Sequence, residues 1–482
     1  MGCSRRMFLG AGAAFLAVPG FAGAGKPKLR VGIVSDLHLE THVGSELTPF
    51  ENLDRAFRHF DELKADAILA CGDLTNLGTE RSLLQLGEIW RKTFPHGCRS
   101  DGSPVANLFH LGDHDAGGYA HKWGWAKSHC ADPDEELAHP LSEADMPKLW
   151  KTAFGVDWQP IMIREVKGYT FVLANHPPHG KESQDGQFIP GVAEALASLR
   201  YDGRQPVFYS QHRGIPGTVH GNEACGLGGP EMFETLKRYG GIIAFTGHAH
   251  ANCADEKSLW QGEFTAVAVP SLRNCGTRLG RENSFRPMIK GREVVQKADG
   301  IWESGQYLFM SVYEDCVTIA RYDVTNRASL GPDWVIPLPL PNDRVSFAER
   351  AKKSVAPRFP QGACVRVELG VTEKDRKERP RRCIRVSFPP AHATASTPRA
   401  YDYEVRVGLV VRRVFSANAF WADEKDVKPV YCLIDCADLP ERLDGLVVSV
   451  SPADSFGHHG MPIETFIPLA GKADEERGVQ GT

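Results

Sequence analysis

Five times in this chain a short apolar run stops at a residue able to hold a metal ion, and this recurrence constrains the fold more than any other feature. Lys28-Leu29-Arg30-Val31-Gly32-Ile33-Val34-Ser35 breaks at Asp36, with His38 two residues on. Ala67-Ile68-Leu69-Ala70 leads into Gly72-Asp73, and Val105 to Leu111 leads into Gly112-Asp113-His114-Asp115. Pro206 to Ser210 runs into Gln211-His212, and Gly241 to Thr246 opens onto Gly247-His248-Ala249-His250. Short, uniformly apolar runs read as buried strands. Helical patterns separate the first of them: Leu53, Phe57 and Phe60 recur at helical spacing between Pro49 and Leu63, and Glu80 to Lys92 forms a second such stretch. Strand, helix and strand in alternation predict an α/β layered domain. Polar residues at the C-terminal tips of such strands are expected to collect over one edge of a parallel or mixed sheet. A lone histidine at a strand end is ordinarily a packed or surface residue. Three carboxylates and four imidazoles in one setting, Asp36, His38, Asp73, Asp113, His212, His248 and His250, have no structural reason to coincide. Asp36 and His38, two apart on an extended segment, are expected to face the same way and reach one ion.

The rest of the chain bounds the reading. At 482 residues it exceeds the size at which one core keeps growing, so two domains are expected. Apolar residues at 42% and charged residues at 24% are the mixture of an ordinary globular protein, and a net charge of −4 argues against a broad nucleic-acid surface. The first 25 residues differ. Arg5 and Arg6 precede an almost uncharged stretch from Met7 to Phe21 that ends in Ala22-Gly23-Ala24-Gly25, the order of a cleavable export signal. Ser4-Arg5-Arg6-Met7-Phe8-Leu9 resembles the bacterial twin-arginine signal, which implies export of the folded protein by the twin-arginine machinery to the periplasm or beyond. There are 12 cysteines, and Cys3 lies in the leader, so an odd number follows it and full internal pairing is excluded. Cys432 with Cys436 is a local disulfide candidate, whereas Cys71 and Cys364 sit in apolar runs and read as buried thiols.

Beyond Asp115 the grammar changes twice. Residues 116–160 lack strand periodicity and read as a partly helical insertion over the active face, with Trp123, Trp125 and Trp150 as a candidate aromatic wall. Strand candidates resume at Met162 to Val166 and Thr170 to Ala174, and Phe264 to Val269, Tyr307 to Val312 and Cys316 to Tyr322 close the domain. Prolines 332, 337, 339 and 341 suggest a linker over 326–350. Residues 351–475 then show short runs alternating at period two, such as Cys383 to Phe388 and Tyr403 to Leu409. No long helical pattern separates them, which predicts an antiparallel β-sandwich. Tyr401 to Leu409, Ser416 to Trp421 and Val448 to Gly457 give this part a looser resemblance to a fibronectin type III module. Its Trp421 is either a core residue or a contact for a glycan or envelope component.

The ordered set Asp36-Leu37-His38, Gly72-Asp73, Gly112-Asp113-His114-Asp115, His212 and Gly247-His248-Ala249-His250 resembles the calcineurin-like metallophosphoesterase superfamily over residues 28–325. The resemblance implies a layered α/β sandwich and two metal ions. Asp36, His38 and His250 would hold the first, Asp113, His212 and His248 the second, and Asp73 both. It implies His114 as the group beside the substrate, with Asp115 orienting its ring. The expected reaction is hydrolysis of a phosphoester by metal-activated water, the two ions lying about 3.5 to 4 Å apart. The class of ester, and whether it is a phosphorylated small molecule, a nucleotide or a lipid head group, stays open. A metal-containing protein that binds without turnover, or serves at the cell surface, is the alternative. Arg213, His220, Asn222, Arg273 and Asn274 are candidate contacts near the site.

One residue departs from the family pattern, in which Asn usually stands where this chain has Asp113. A third carboxylate lowers the formal charge of the centre by one. The expectation is iron(III) with a divalent ion, with a Mn²⁺ or Zn²⁺ pair as the other composition.

Overall fold

The computed structural model describes residues 25–39, 48–116, 139–177, 188–199, 203, 205–221, 229–276, 280–284, 288–289, 292–296, 305–341, 343–375, 377–391, 400–415 and 428–468. Residues 1–24, where an export signal is expected, and Trp123, Trp125, Asn222 and Trp421 lie outside them. The strands of the first domain are β1 (Leu29–Val34), β2 (Ala67–Cys71), β3 (Ala106–His110), β4 (Ile161–Val166), β5 (Tyr169–Ala174), β6 (Val207–Gln211), β7 (Ile242–Thr246), β8 (Leu259–Gln261), β9 (Thr265–Ala268), the two-residue pair β10 (Met288–Ile289) and β11 (Arg292–Glu293), β12 (Gln306–Val312), β13 (Cys316–Asp323) and β14 (Trp334–Pro337). Its helices are α1 (Thr48–Glu62), α2 (Glu80–Thr93), α3 (Met146–Phe154), α4 (Phe188–Ser198) and α5 (Gly229–Lys237).

Two six-stranded sheets result. One runs β14-β13-β12-β1-β2-β3, with β1, β2 and β3 parallel; the other runs β4-β5-β6-β7-β9-β8, with β5, β6, β7 and β9 parallel. Their facing sides share one core, in which Val31, Ile33, Leu69 and Leu108 meet Phe171, Phe208, Phe245 and Val267. β2, β6 and β7 are buried along their whole length because both faces are covered, as the continuous apolar runs require. Helix α1 turns Leu53, Phe57 and Phe60 inward and Arg55 and Arg58 to solvent. Helix α2 starts where the Thr79 side chain accepts from the Ser82 N–H and ends with Arg91 and Lys92 in its last turn. A second apolar layer, with Val192 and Leu196 of α4 and Met232 and Leu236 of α5, covers the outer face of the second sheet.

Three expectations change here. The ligand-bearing strands belong to two sheets rather than one, because β1–β3 and β6–β7 pack face to face and share a common edge. The 326–350 segment is not simply a linker: β14 pairs in register with β13, Ile319 opposite Trp334, and a short helix α6 (Phe347–Ala351) follows. Trp150 forms no wall over the site. It is 1% exposed, lies in the first core and meets the Phe154 ring at 4.7 Å.

The C-terminal part holds β15 (Arg366–Lys374), β16 (Pro380–Phe388), β17 (Asp402–Val407), β18 (Val410–Phe415), β19 (Val430–Asp435), β20 (Val447–Ala453) and β21 (Ile463–Phe466). They form antiparallel sheets β15-β16-β19 and β18-β17-β20-β21 around a core of Ile384, Val386, Val405, Val407, Ile434, Val448 and Val450. Cys432 and Cys436 are both free thiols, like every described cysteine, so the expected local disulfide is not formed.

Candidate metal centre

Three of the five ligand-bearing strands, β1, β2 and β7, end in left-handed turns of the backbone rather than in a further extended step. Asp36 (φ 51°), His38 (φ 46°), Asp73 (φ 50°), His248 (φ 64°) and His250 (φ 48°) all occupy the left-handed region. Asp and His tolerate that region better than most residues, yet five of them beside one another hold strain of the kind found at functional sites. Asp36 and His38 therefore reach one place through two left-handed turns, not through the alternation of an extended strand as the spacing suggested. Glycine lets the loops close. A side chain on Gly112 would strike the Asp73 backbone nitrogen and carboxylate, and one on Gly247 would strike Ser35 Oγ.

The seven expected ligands fall into two clusters. Asp36, His38 and His250 form one; Asp73, Asp113, His212 and His248 form the other. His38, Asp73 and His114 form a third group that overlaps both. In the first, His38 Nε2 lies 3.1 Å from His250 Nε2, and His250 Nε2 lies 3.1 Å from Asp36 Oδ1. In the second, His212 Nε2 is 3.1 Å from Asp73 Oδ2 and 3.0 Å from Asp113 Oδ1, while His248 Nδ1 is 3.1 Å from Asp113 Oδ1. Asp73 Oδ2 also stands 3.7 Å from His38 Nε2, which puts it between the clusters.

The far side of each ring fixes which nitrogen faces inward. His212 Nδ1 donates to the Cys71 carbonyl at 2.7 Å, His250 Nδ1 to the Asn274 carbonyl at 3.1 Å, and His38 Nδ1 to Asn76 Oδ1 at 3.2 Å. A carbonyl only accepts, so in the neutral ring that a metal ion requires the hydrogen sits on Nδ1 and the Nε2 lone pair points inward. Lone pairs then face lone pairs and carboxylates. Asp36 Oδ1, Asp113 Oδ1 and His212 Nε2 are buried there with no hydrogen-bond partner. Cations between them satisfy every one of these atoms, so the residues fit a pair of metal ions.

In the ion-free chain a proton on the His212 ring takes the place of a cation. Burial works against ionising Asp36, but the imidazoles of His250, His38 and His212 together outweigh it and hold the carboxyl well below its usual range. Burial likewise opposes ionised Asp113, and His212 and His248 outweigh it. His212 is buried too, yet Asp73 and Asp113 keep its imidazole well above the ordinary value. His38 goes the other way, pushed to about 4 by burial and by His114.

His114 stands at the rim, its ring 4.6 Å from that of His38 and edge-on to it. Its backbone N–H donates to Asp73 Oδ1 at 2.9 Å, and its Nδ1 donates to the Asn76 carbonyl at 2.8 Å. Asp115 does not orient that ring. Its carboxylate accepts from the backbone N–H groups of Leu74, Thr75 and Gly112 and from the Thr75 hydroxyl, at 2.7 to 2.9 Å. It pins the Asp73 and Asp113 loops together instead. The residue that orients His114 is Asn76, which also holds His38. It holds His114 through its backbone carbonyl, a contact no residue type announces, and His38 through its side-chain amide, whose place three residues after Asp73 was the one signal available. Arg213 donates to Asp113 Oδ2 at 2.9 Å. His220 is directed away, toward Ser258 Oγ at 3.2 Å.

Residues 29–252 match the calcineurin-like phosphoesterase family and form a domain of that kind. No curated protein matches the chain. Among solved structures, a dimetal phosphatase from Danio rerio is 11% identical and aligns over 65% of this chain and 99% of its own, with a TM-score of 0.37. A purple acid phosphatase from yellow lupin seeds is 14% identical over 66% of this chain and 55% of its own, with a TM-score of 0.36.

Proposed function

We propose that the calcineurin-like phosphoesterase domain at residues 29–252 hydrolyses a phosphoester at a two-metal centre held by Asp36, His38, Asp73, Asp113, His212, His248 and His250. The observation that carries this reading is the pair of donor clusters meeting at Asp73, with buried inward-facing oxygen and nitrogen atoms that a pair of cations would satisfy. When bound, two such ions supply positive charge to the phosphate oxygens and acidify the attacking water. The chain's own residues do the rest. Asn76 holds His114 with its hydrogen on Nδ1, so Nε2 is the nitrogen that exchanges a proton with the leaving oxygen. Asp115 keeps the Asp73 and Asp113 loops in register. Counting ligand carboxylates alone favours iron(III) with a divalent ion over a Mn²⁺ or Zn²⁺ pair; Arg213 enters that count and reverses it.

The substrate in this reading is a phosphorylated small molecule, a nucleotide or a lipid head group. The twin-arginine-like leader supports action in the periplasm or outside the cell after export through that machinery. The fibronectin-like sandwich is the candidate contact for a glycan or envelope component. The test is turnover of an aryl phosphate and a bis-aryl phosphate by the metal-replete protein, beside an Asp73→Asn control. Hydrolysis of at least one ester, reduced about a hundredfold or more in the control, is expected. Absence of turnover with both esters, or a control as active as the parent, would overturn the proposal.

A further inference from the structure

Asp113 divides its two oxygens between two tasks. Oδ1 faces His212 Nε2 at 3.0 Å and His248 Nδ1 at 3.1 Å, in the direction of the metal cluster. Oδ2 faces away and accepts from Arg213 Nη2 at 2.9 Å. The Asp113 side chain is 3% exposed and that of Arg213 is 20% exposed, so the contact is largely sheltered from water. A charge-assisted pair in such a place is strong, and its geometry is specific.

An amide at position 113 would fit the metal side and fail on the other. With its oxygen turned to the cluster, its NH₂ would face the guanidinium, donor against donor. The carboxylate and Arg213 therefore belong together. Arg213 follows the ligand His212 directly, so the strand end that delivers one ligand also delivers the compensating cation.

Resting on the two-metal reading above, we propose that Arg213 is a positioning and charge-balancing residue that cancels the extra carboxylate of Asp113, so that this centre takes two divalent ions and not iron(III) with a divalent partner. The ligand set with Arg213 carries the same net charge as a two-carboxylate set without it. Removing Arg213 leaves one negative charge unopposed, which favours a trivalent ion and weakens the hold on an anion.

The experiment combines elemental analysis of protein made without added metal with calorimetric titration of Mn²⁺ and of inorganic phosphate. It is run on the parent, Arg213→Met, Arg213→Lys, Asp113→Asn and the Asp113→Asn/Arg213→Met double variant. The parent should contain two divalent ions and no stoichiometric iron. Arg213→Met should gain ferric iron and lose phosphate affinity, while Arg213→Lys, which keeps the charge, should retain the parent's metal content. Asp113→Asn should weaken Mn²⁺ binding at one site about tenfold more with Arg213 present than in the Arg213→Met background. One ferric ion per chain in the parent, or an Asp113→Asn cost equal in both backgrounds, would overturn the inference and leave the two-metal reading intact. A parent that binds no metal pair would instead defeat the reading on which it rests.

Discussion

His110 ends strand β3 beneath the metal ligands, fully buried, with Nε2 2.7 Å from Ser210 Oγ and Nδ1 3.2 Å from the Leu111 carbonyl. Burial pushes its imidazole down to about 3. Between that value and the ordinary one near 6.5 the unfolded chain binds a proton that the folded chain refuses, so stability falls as the pH drops through 6.5 toward 3. At pH 5 this one residue should cost about 2 kcal/mol relative to neutral pH. Urea unfolding at pH 7 and pH 5 should show a loss about 2 kcal/mol larger in the parent than in His110→Gln, and an equal loss in both would refute it. At this scale, too, the backbone chooses residue types. Asp and His are metal ligands, and they are also among the residues that best accept the left-handed turns at Asp36, His38, Asp73, His248 and His250.

The loop that follows His250 depends on one acid to join several elements. Glu256 Oε1 accepts from Arg321 of β13 at 2.9 Å, and Oε2 accepts from Trp334 of β14 at 2.8 Å and from Arg350 of α6 at 3.1 Å. Arg321, its side chain 1% exposed, also donates to the Cys253 carbonyl and lies over the Trp334 ring at 4.5 Å. Burial acts against the Glu256 charge, and the two guanidiniums outweigh it and keep the carboxyl low. This explains why 326–350 packs as it does: β14 and α6 bring Trp334 and Arg350 to a charge already buried in the first domain. Glu256→Ala would leave Arg321 buried without its acid, at a cost of about 3 to 5 kcal/mol. Denaturant unfolding measures it, and a change below about 1 kcal/mol would show that the cluster is incidental.

The whole molecule is more tightly joined than its two sequence grammars suggest. Residues 281–283 and Gln296, which lie between β9 and β12 of the first domain, bind the C-terminal sheets. Arg281 pairs with Asp402, the Glu282 N–H donates to the Arg413 carbonyl, Asn283 exchanges two bonds with Phe415, and Gln296 bonds Tyr431 and Leu433 of β19. Tyr401 and Phe415 belong to the first domain's core cluster. Deleting 345–482 strips these partners and exposes apolar surface. The shortened chain is therefore expected to be poorly soluble or to unfold at markedly lower temperature in scanning calorimetry. A truncation with the parent's unfolding temperature and metal content would show that the sandwich is merely appended.

Much of this was legible from residues alone. The apolar runs ending at Asp36, Asp73, Asp113, His212 and His248 specified buried strands because their periodicity is local. Gly72, Gly112 and Gly247 precede Asp73, Asp113 and His248 at places where the fold has no room for a side chain. The seven donors were readable as a set because chemistry and position recur together. What only the tertiary structure decided were contacts between residues far apart in the chain or on different sheets. Asn76 rather than Asp115 orients His114, because four donors from neighbouring loops already occupy the Asp115 carboxylate. Trp150 went into the core because α3 packs against α2 instead of standing over the site. Arg213 meets Asp113 across 100 residues of chain, only because β3 and β6 end at a common edge of two sheets. Local sequence carries strand, helix and ligand type, but charge balance at a site depends on which strands fold beside one another.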